Sequence, residues 1–547
     1  MTDIKDGEVK DSSSPIRRFT LKRIRLGAII FGLFIVIEGI SQSLAIVTAY
    51  PNVEQRAKVI NMLASSSTLG LFYGNRYNNI ISPAGYMVYR TLPFMYLIGA
   101  IWLLMFINKM LRGQEETGSW ELFISGQISA KKATLKTILG TLSGILIAYI
   151  IIAVFLLVLG KNKQLDFSTG GTLVYSLAVI CGPLVALAIG AITSQVASTK
   201  RKANIYGILT IVILFSLRSI GNTINNLAWL KDITPFGWID KLHPYYHTQL
   251  IWLIPLITLV ILCCAYAINI SGKRDMGESL IQDSGIAKPN FKLLNTQIGF
   301  GFRSNKFVLG GWLALSLSIA ALIAAIDKTV AKSLTSTGSV SKTFSNLTGN
   351  PSAHIELAYL GAGSYFIVTI LLIMVTAGLN SIKEEEASGR LENFISGIIS
   401  RKHWLGMRLL IIVLSSIVIT FLSNLVLWLI VEAQGIHINA GLLLLGGFSM
   451  LGPVILLLGI GVLLYGIKPQ IASRLMYVVI AWSFTLDIIS SVTKTNKYLA
   501  DTSLFHHIAL VPAANPKWTS FLIMTFSGLI LIILGIGIFQ KRDLVLE

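Results

Sequence analysis

The chain has 547 residues, of which 54% are hydrophobic and only 13% are charged, and its mean hydropathy is +0.71. A soluble protein of this length would divide into several domains and carry roughly a quarter charged residues, so the composition excludes that class and predicts a polytopic membrane protein. In a soluble protein the net charge of +19 would suggest nucleic-acid binding. Here the cations must lie between apolar spans, which indicates an anionic membrane face and no nucleic acid.

Twelve apolar runs, each of about 18 or more residues, predict an all-α fold with twelve transmembrane helices. In chain order they cover approximately 26–49, 91–111, 136–159, 171–194, 204–221, 248–270, 307–327, 358–380, 405–431, 441–466, 474–491 and 518–540. The eleventh run fits the pattern least well, because it is short and contains Asp487. An even number of spans places both termini on the same side of the membrane.

The distribution of cations predicts which side that is. If the N-terminus is cytoplasmic, the inner segments carry 30 Lys and Arg residues and the outer segments carry 15. Because cytoplasmic loops are enriched in cations, both termini are predicted to be cytoplasmic. Residues 16–26 and 291–306, which precede the first and seventh spans, mix cations with apolar residues. This pattern favours helices lying in the cytoplasmic interface over plain juxtamembrane charge.

The loop after the second span is repeated after the eighth. At an ungapped offset of 271, ten of the seventeen residues in 115–131 are identical to their counterparts in 386–402. At an offset of 268, Pro244 and Pro512 each precede the Asp of a KRD sequence by 31 residues. Two such matches predict two parallel six-helix repeats, related by an axis along the membrane normal and enclosing a central path.

The spans and the duplication together give the predicted domain organisation. It consists of a cytoplasmic tail with an interfacial basic helix (1–25), a first six-helix half (26–270), a cytoplasmic linker with an interfacial helix (271–306), a second six-helix half (307–540) and a cytoplasmic tail (541–547).

The motifs of nucleotide-hydrolysing and other common enzymes are missing from the sequence. It contains no GxxxxGK[ST] phosphate-binding loop, no HExxH and no GxSxG. The chain is therefore not expected to hydrolyse a nucleotide by itself, and we assign it no catalytic residue. His243 and His247 have helical spacing, but Pro244 between them argues against a regular helix. We predict polar loop histidines there and no metal site.

The two repeated loops are the strongest functional signal. Each has an acidic cluster, a glycine, another glutamate, an apolar run and cations, although acidic residues oppose the positive-inside trend. A short amphipathic helix with acids at its start is stabilised by the helix dipole, and its apolar face needs a partner. Because the loop is duplicated almost unchanged, protein docking is favoured over a solvated turn. The candidate docking residues are Glu115, Glu116, Gly118, Glu121, Phe123, Glu385, Glu386, Gly389, Arg390, Glu392 and Phe394.

The sequences EETGSWELFISGQISAKK and EEEASGRLENFISGIISRKH, with twelve spans and the KRD signatures, resemble the permease subunits of ATP-binding-cassette (ABC) exporters. The most similar group is the polyketide-antibiotic and multidrug efflux permeases. The resemblance implies a cell-membrane permease powered by two copies of a separate cytoplasmic ABC ATPase. Those partners would bind ATP and Mg²⁺, and this chain would bind no cofactor. The first loop departs from the family pattern, with Ser119 where the second has Arg390.

The expected substrate is a small hydrophobic or amphipathic compound, exported through a path between the two halves. The main alternative is an ion-coupled secondary transporter of the major-facilitator type, which also has twelve spans in two parallel repeats. That group usually has a basic DRxGRR-like loop between its second and third spans, where this chain has an acidic loop. A membrane-embedded enzyme or lipid-handling protein is a third class, which no catalytic constellation supports.

Three charged residues within the apolar runs are candidates for the translocation path: Glu38, Arg218 and Asp487. Arg218 and Asp487 are 269 residues apart, close to the repeat offsets, so the duplication places opposite charges at equivalent positions. A lone charge in hydrocarbon costs about 2.5 to 3.5 kcal/mol on insertion scales. The two side chains would then pair or share a polar patch. Alternatively, Arg218 extends to the outer headgroups while Asp487 faces water in a cavity.

Overall fold

The structure is a computed structural model, and the part described is almost entirely helical. It comprises residues 14–64, 73, 80–120, 128–162, 164–165, 167–223, 225–275, 278–280, 296–335, 355–387, 389, 391, 400–492, 496–509 and 511–543. None of these residues forms a β-strand. The all-α prediction is therefore confirmed for the described residues.

The chain divides into two compact units, Met1–Ala287 and Lys288–Glu547. The division falls inside the predicted linker, 271–306. The helices of the first unit are α1 (Ser14–Ala49), α2 (Val53–Ala64), α3 (Pro83–Met110), α4 (Arg112–Glu116), α5 (Ala130–Leu159), α6 (Thr169–Val196), α7 (Lys200–Thr223), α8 (Trp229–Asp232), α9 (Pro235–Asp240) and α10 (Leu253–Ser271).

The second unit has the same all-helical character. Its helices are α11 (Gln297–Thr335), α12 (Ile355–Ala387), α13 (Arg401–Ala433), α14 (Ala440–Phe448), α15 (Leu451–Ile467), α16 (Pro469–Val492), α17 (Lys497–Ala500) and α18 (Trp518–Lys541).

Eleven helical segments in the described residues are long and apolar enough to cross a membrane. They are Pro15–Ala49, Pro83–Glu116, Ala130–Leu159, Thr169–Val196, Lys200–Asn222, Leu250–Ser271, Ile298–Ala325, Gly363–Ala387, Arg401–Ala433, Ala440–Ile467 and Trp518–Lys541. The predicted span 474–491 lies within α16, which is not one of the eleven. Eleven of the twelve predicted spans therefore correspond to such segments, and the remaining one stays a prediction.

The first helix of each unit is longer than a membrane span requires. α1 has 36 residues and α11 has 39. At 1.5 Å per residue they measure about 54 and 58 Å, against a hydrocarbon core of about 30 Å. The basic residues before the first span therefore continue into it as one unbroken helix, and residues 297–306 do the same in α11. Whether these segments lie in the membrane interface stays a prediction.

The core of the first unit is formed around α3 and α6. Small residues allow these two backbones to approach closely, as in other membrane helix pairs. A Cβ atom at Gly182 in α6 would lie only 2.2 Å from the backbone oxygen of Tyr96 in α3. The outer helices of the unit, such as α7 and α10, keep many large apolar side chains exposed, including Leu209 and Ile261. This arrangement suits helices whose outer face contacts lipid.

In the second unit, α15 and α18 pack along each other through glycines. A Cβ at Gly459 would lie 2.4 Å from the backbone oxygen of Gly528, and one at Gly528 would lie 2.6 Å from that of Ile455. Two turns further along, Gly466 and Gly535 make the same kind of contact at 2.7 Å. Backbone therefore meets backbone along this interface, with no side-chain layer at the four glycines.

Candidate functional site

Each repeated loop begins with a turn at a glycine in the left-handed conformation. Gly118 has a φ of +68° and Gly389 has a φ of +69°. In both turns the glycine N–H donates to the carbonyl oxygen three residues earlier, that of Glu115 or Glu386, at 3.0 Å. A residue with a side chain would cost roughly 1–2 kcal/mol more in this conformation. The two loop glycines selected from the sequence therefore form the same turn in both units.

In the first unit this turn is fastened by Glu115, whose side chain is 7% exposed. Its Oε2 lies 2.8 Å from Nη1 of Arg112, and its Oε1 lies 2.5 Å from Nη2 of Arg274. Arg112 belongs to the same short helix, α4, whereas Arg274 lies three residues beyond the end of α10. The second ion pair therefore ties the loop to the last helix of its unit.

The same two arginines also donate hydrogen bonds to residues of neighbouring segments. Nε and Nη2 of Arg112 donate to the carbonyl oxygen of Ser198, at 3.1 and 2.8 Å, and Nη1 donates to that of Glu278 at 2.7 Å. Nε of Arg274 donates to Oε1 of Gln195 at 2.8 Å. The end of α6 and the segment after α10 therefore meet at the acidic loop.

Glu116, next to Glu115, contacts a different helix. Its side chain lies at an exposed position, and its Oε1 accepts a hydrogen bond of 2.7 Å from the backbone N–H of Lys200. Lys200 is the first residue of α7, where backbone N–H groups lack partners within the helix. A carboxylate there also opposes the positive end of the helix dipole. Glu116 therefore fastens the loop to the start of α7.

In the second unit the corresponding carboxylate is that of Glu386, whose side chain is 2% exposed. Nη2 of Arg542 lies 2.6 and 2.9 Å from its two oxygens, and the hydroxyl of Tyr465 donates to Oε2. The guanidinium of Arg542 lies 5.5 Å from the ring centres of both Tyr465 and Phe539. Arg542 directly follows α18, so this loop is also tied to the last helix of its unit.

The other two glutamates of the second cluster contact different residues. Oε2 of Glu385 lies 2.9 Å from Nη2 of Arg408 in α13, with both side chains largely buried. Oε1 of Glu384 accepts a hydrogen bond of 3.0 Å from Asn380, one turn earlier in α12. Adjacent carboxylates therefore fasten the second loop to α18 and to α13.

These contacts bear on the predicted docking residues. Glu115, Glu385 and Glu386 are paired with arginines of their own unit, so their carboxylates are largely enclosed, whereas Glu116 lies at the surface. Five of the predicted residues lie outside the described residues: Glu121, Phe123, Arg390, Glu392 and Phe394. The assignment of these residues to ATPase docking stays a prediction. The three enclosed glutamates are placed to hold each loop to its own unit.

Arg218, predicted for the translocation path, is enclosed in the first unit. The residue is 0% exposed, and its Nε lies 2.6 Å from Oδ2 of Asp240 in α9. Tyr96 donates to Oδ1 of the same carboxylate at 3.3 Å, and Asn222 donates to Oδ2 at 3.5 Å. The prediction that Arg218 extends to the outer headgroups is therefore wrong, because the side chain is buried against α9, whereas the second part of that alternative, Asp487 facing water, stays a prediction.

The structure describes the side chain of only one of the other two path candidates. Glu38 lies within α1, and its Oε1 accepts a hydrogen bond of 2.8 Å from Gln42 one turn later. Asp487 lies on α16, but its side chain is not among those described. The proposed relation between Arg218 and Asp487 stays a prediction, and Asp240 already supplies a carboxylate to Arg218.

The second unit contains a cavity of about 80 Å³ between α11, α12 and α13. Its walls are mostly apolar and include Trp312, Met374 and Ile411, and the ion pair of Glu385 and Arg408 lies in its lining. Pockets that hold drug-sized ligands measure about 300–1,000 Å³ and typically combine apolar walls with a few polar groups. This cavity therefore has the mixed lining of an amphipathic site, but it is smaller than a drug-sized ligand needs.

Sequence reasoning missed the residues that hold the loops. Arg274 and Arg542 are the arginines of the two KRD sequences, which were used only as evidence of duplication. Arg274 follows the glutamate of its loop by 159 residues and Arg542 follows its own by 156, and this near-equal spacing could have indicated the two ion pairs. The roles of Tyr465 and Arg408 could not be predicted in this way, because the equivalent positions of the first repeat hold other residue types.

The membrane-length apolar helices of the two units define a multi-pass membrane protein. The family model described as the C-terminal domain of the multidrug efflux system permease Rv1217c matches residues 55–268 and 294–540, and the chain belongs to this family. The chain is also similar to the multidrug efflux system permease protein Rv1217c of Mycobacterium tuberculosis. The two are 23% identical over 503 residues, covering 91% of this chain and 88% of that protein. The resemblance to multidrug efflux permeases is thus confirmed.

Proposed function

We propose that this chain is the permease subunit of an ATP-driven exporter that moves hydrophobic or amphipathic compounds out of the cell. Two copies of a cytoplasmic ABC ATPase bind ATP and Mg²⁺ and dock on the loops that follow α4 and α12. Both termini are cytoplasmic, and the duplicated sequence forms two parallel halves of six spans each. The compound passes along a path between those halves.

One observation carries the proposal: a chain without a phosphate-binding loop has two acidic loops fastened in the same way to their own units. In each loop a buried glutamate pairs with the arginine of a KRD sequence. A loop that receives force from another protein needs a firm connection to the helices it moves. Buried ion pairs supply this, because removing one partner of such a pair costs about 3–5 kcal/mol, whereas exposed pairs are worth only about 0–1 kcal/mol.

The proposal is tested by purifying the tagged chain from its own host membrane. We expect an ABC ATPase to co-purify, and we expect ATP turnover to disappear when that subunit is removed. In proteoliposomes, the complex with its ATPase should take up a fluorescent amphipathic dye only when Mg²⁺ and ATP are added. Robust hydrolysis by the chain alone, or uptake driven by an ion gradient without ATP, would refute the proposal.

Charge reversal in the loops tests where the ATPase docks. We expect Glu392→Lys to reduce recovery of the ATPase by about tenfold and Glu121→Lys to reduce it less, since like charges placed across an interface cost several kcal/mol. The asymmetry follows from Ser119 occupying the position of Arg390. The measurement is quantitative mass spectrometry of the co-purified ATPase. Glu432→Lys at the far end of α13 is the matched control, and equal recovery from all variants would exclude these loops as the docking sites.

The cavity of the second unit supplies a prediction about the substrate. Trp312 lines it, and removing this ring should weaken binding of the amphipathic compounds that contact it by about 1.5–3 kcal/mol. We therefore expect Trp312→Ala to lower resistance to some compounds of a panel more than to others, at unchanged membrane abundance. Trp518→Ala, at an exposed position on α18, is the matched control. A uniform effect on all compounds, or none, would exclude the cavity as a substrate site.

A further inference from the structure

We infer that Arg274 and Arg542 are positioning residues that join each acidic loop to the last helix of its own unit, so that the loop and that helix move together. This inference rests on the proposed function only for the identity of the protein that moves the loop, the ABC ATPase. The connection itself is a property of this chain.

The strongest argument is that the two units share this ion pair while its surroundings differ. In both, Nη2 of the KRD arginine approaches the glutamate that precedes the loop glycine by three residues. The rest of the first site is Arg112, Gln195 and backbone oxygens. The rest of the second site includes Tyr465 and the ring of Phe539. A contact that recurs in different packing environments is what a positioning role predicts.

The pairs are placed to transmit displacement. Glu115 and Glu386 lie at the start of their loops, and the arginines lie within three residues of the ends of α10 and α18. Along the chain these partners are 159 and 156 residues apart, so the through-space contact is the short route between loop and last helix. Both side chains of each pair are at most 13% exposed, and water screens such a contact weakly.

Hydrogen–deuterium exchange of the purified full-length chain in lipid nanodiscs tests the connection without any ATPase or drug. We expect Arg542→Gln to speed exchange of the Gly389 amide by at least about tenfold, because the turn it closes is no longer fastened. The Gly118 amide should be unchanged. Arg274→Gln should have the reverse effect. Lys541→Gln and Lys273→Gln remove exposed neighbouring cations and should change neither turn.

Charge exchange separates positioning from general destabilisation. Glu386→Arg combined with Arg542→Glu should slow exchange at Gly389 towards the wild-type rate, although each single change speeds it. In the complex with its ATPase, Arg542→Gln should keep ATP turnover but lose most dye transport, and the exchanged pair should recover part of it. Unchanged exchange in both arginine variants, or an equal effect of the lysine controls, overturns the inference. Failure of transport in the wild-type complex would count against the proposed function instead.

Discussion

Gly528→Ala is expected to destabilise the protein by about 2–3 kcal/mol, although alanine normally favours a helix over glycine by about 1 kcal/mol. The reason is the backbone contact between α15 and α18. A methyl group at Gly528 would lie 2.6 Å from the backbone oxygen of Ile455 and 2.8 Å from the backbone nitrogen of Leu456. Backbone atoms in a packed helix cannot move aside as a flexible side chain can, so the two helices must separate.

The matched control is Gly537→Ala on the same helix. Among the described residues, no neighbouring atom outside the local helix backbone lies within 4 Å of the Cβ position at Gly537. Only the preference of alanine over glycine in a helix acts there, so stability should be unchanged or slightly higher. The measurement is thermal unfolding of the detergent-purified chain, followed by size-exclusion chromatography after heating. Equal melting temperatures for the two variants would show that α15 and α18 are not in backbone contact at Gly528.

Arg218→Met is expected to destabilise the protein by about 3–5 kcal/mol, since it leaves the carboxylate of Asp240 enclosed without its cation. Methionine keeps much of the volume of the arginine stem, so the effect reports mainly on the charge. Changing both residues, Arg218→Met with Asp240→Asn, should recover about half of the loss, because an unpaired amide is cheaper to bury than an unpaired carboxylate. Thermal unfolding of the purified variants measures both effects.

A nearby exposed pair provides the control. Nζ of Lys241 lies 2.7 Å from Oδ1 of Asp232, with the side chains 22% and 48% exposed. Exposed pairs contribute about 0–1 kcal/mol, so Lys241→Met should have a small effect. If Arg218→Met were as mild as Lys241→Met, the guanidinium would not be enclosed with Asp240 as the structure places it.

Much of the fold followed from composition and periodicity. Long apolar runs can form little except helices in a membrane, because each backbone polar group must find its partner within the same segment. Eleven predicted spans therefore correspond to membrane-length helices, and the two loop glycines form turns of the same geometry. The run that contains Asp487 fitted the apolar pattern least well, and α16, the helix that includes it, is not among those eleven.

The ion-pair partners of the charged residues could not be predicted from composition and periodicity. Arg218 was matched with Asp487 because the comparison considered only equivalent positions of the two repeats. The structure shows that Asp240, 22 residues further along, lies against Arg218, since the chain folds back from α7 to α9. Likewise, the sequence around Glu386 does not point to Arg542, 156 residues further on, and only a comparison of the two repeats could have suggested that contact. Long-range pairing depends on how helices pack, and apolar periodicity does not specify that.

The glycines of α15 and α18 also restrict how these two helices can move. In each helix the contact glycines are seven residues apart, two turns along the same face. Sliding one helix along the other by one turn would bring bulkier side chains of the same face, such as that of Ile532, against the opposing backbone. The pair is therefore locked in one register and can tilt or shift only as one body. A displacement received at the end of α18 would reach the far end of α15 without loss to slippage between them.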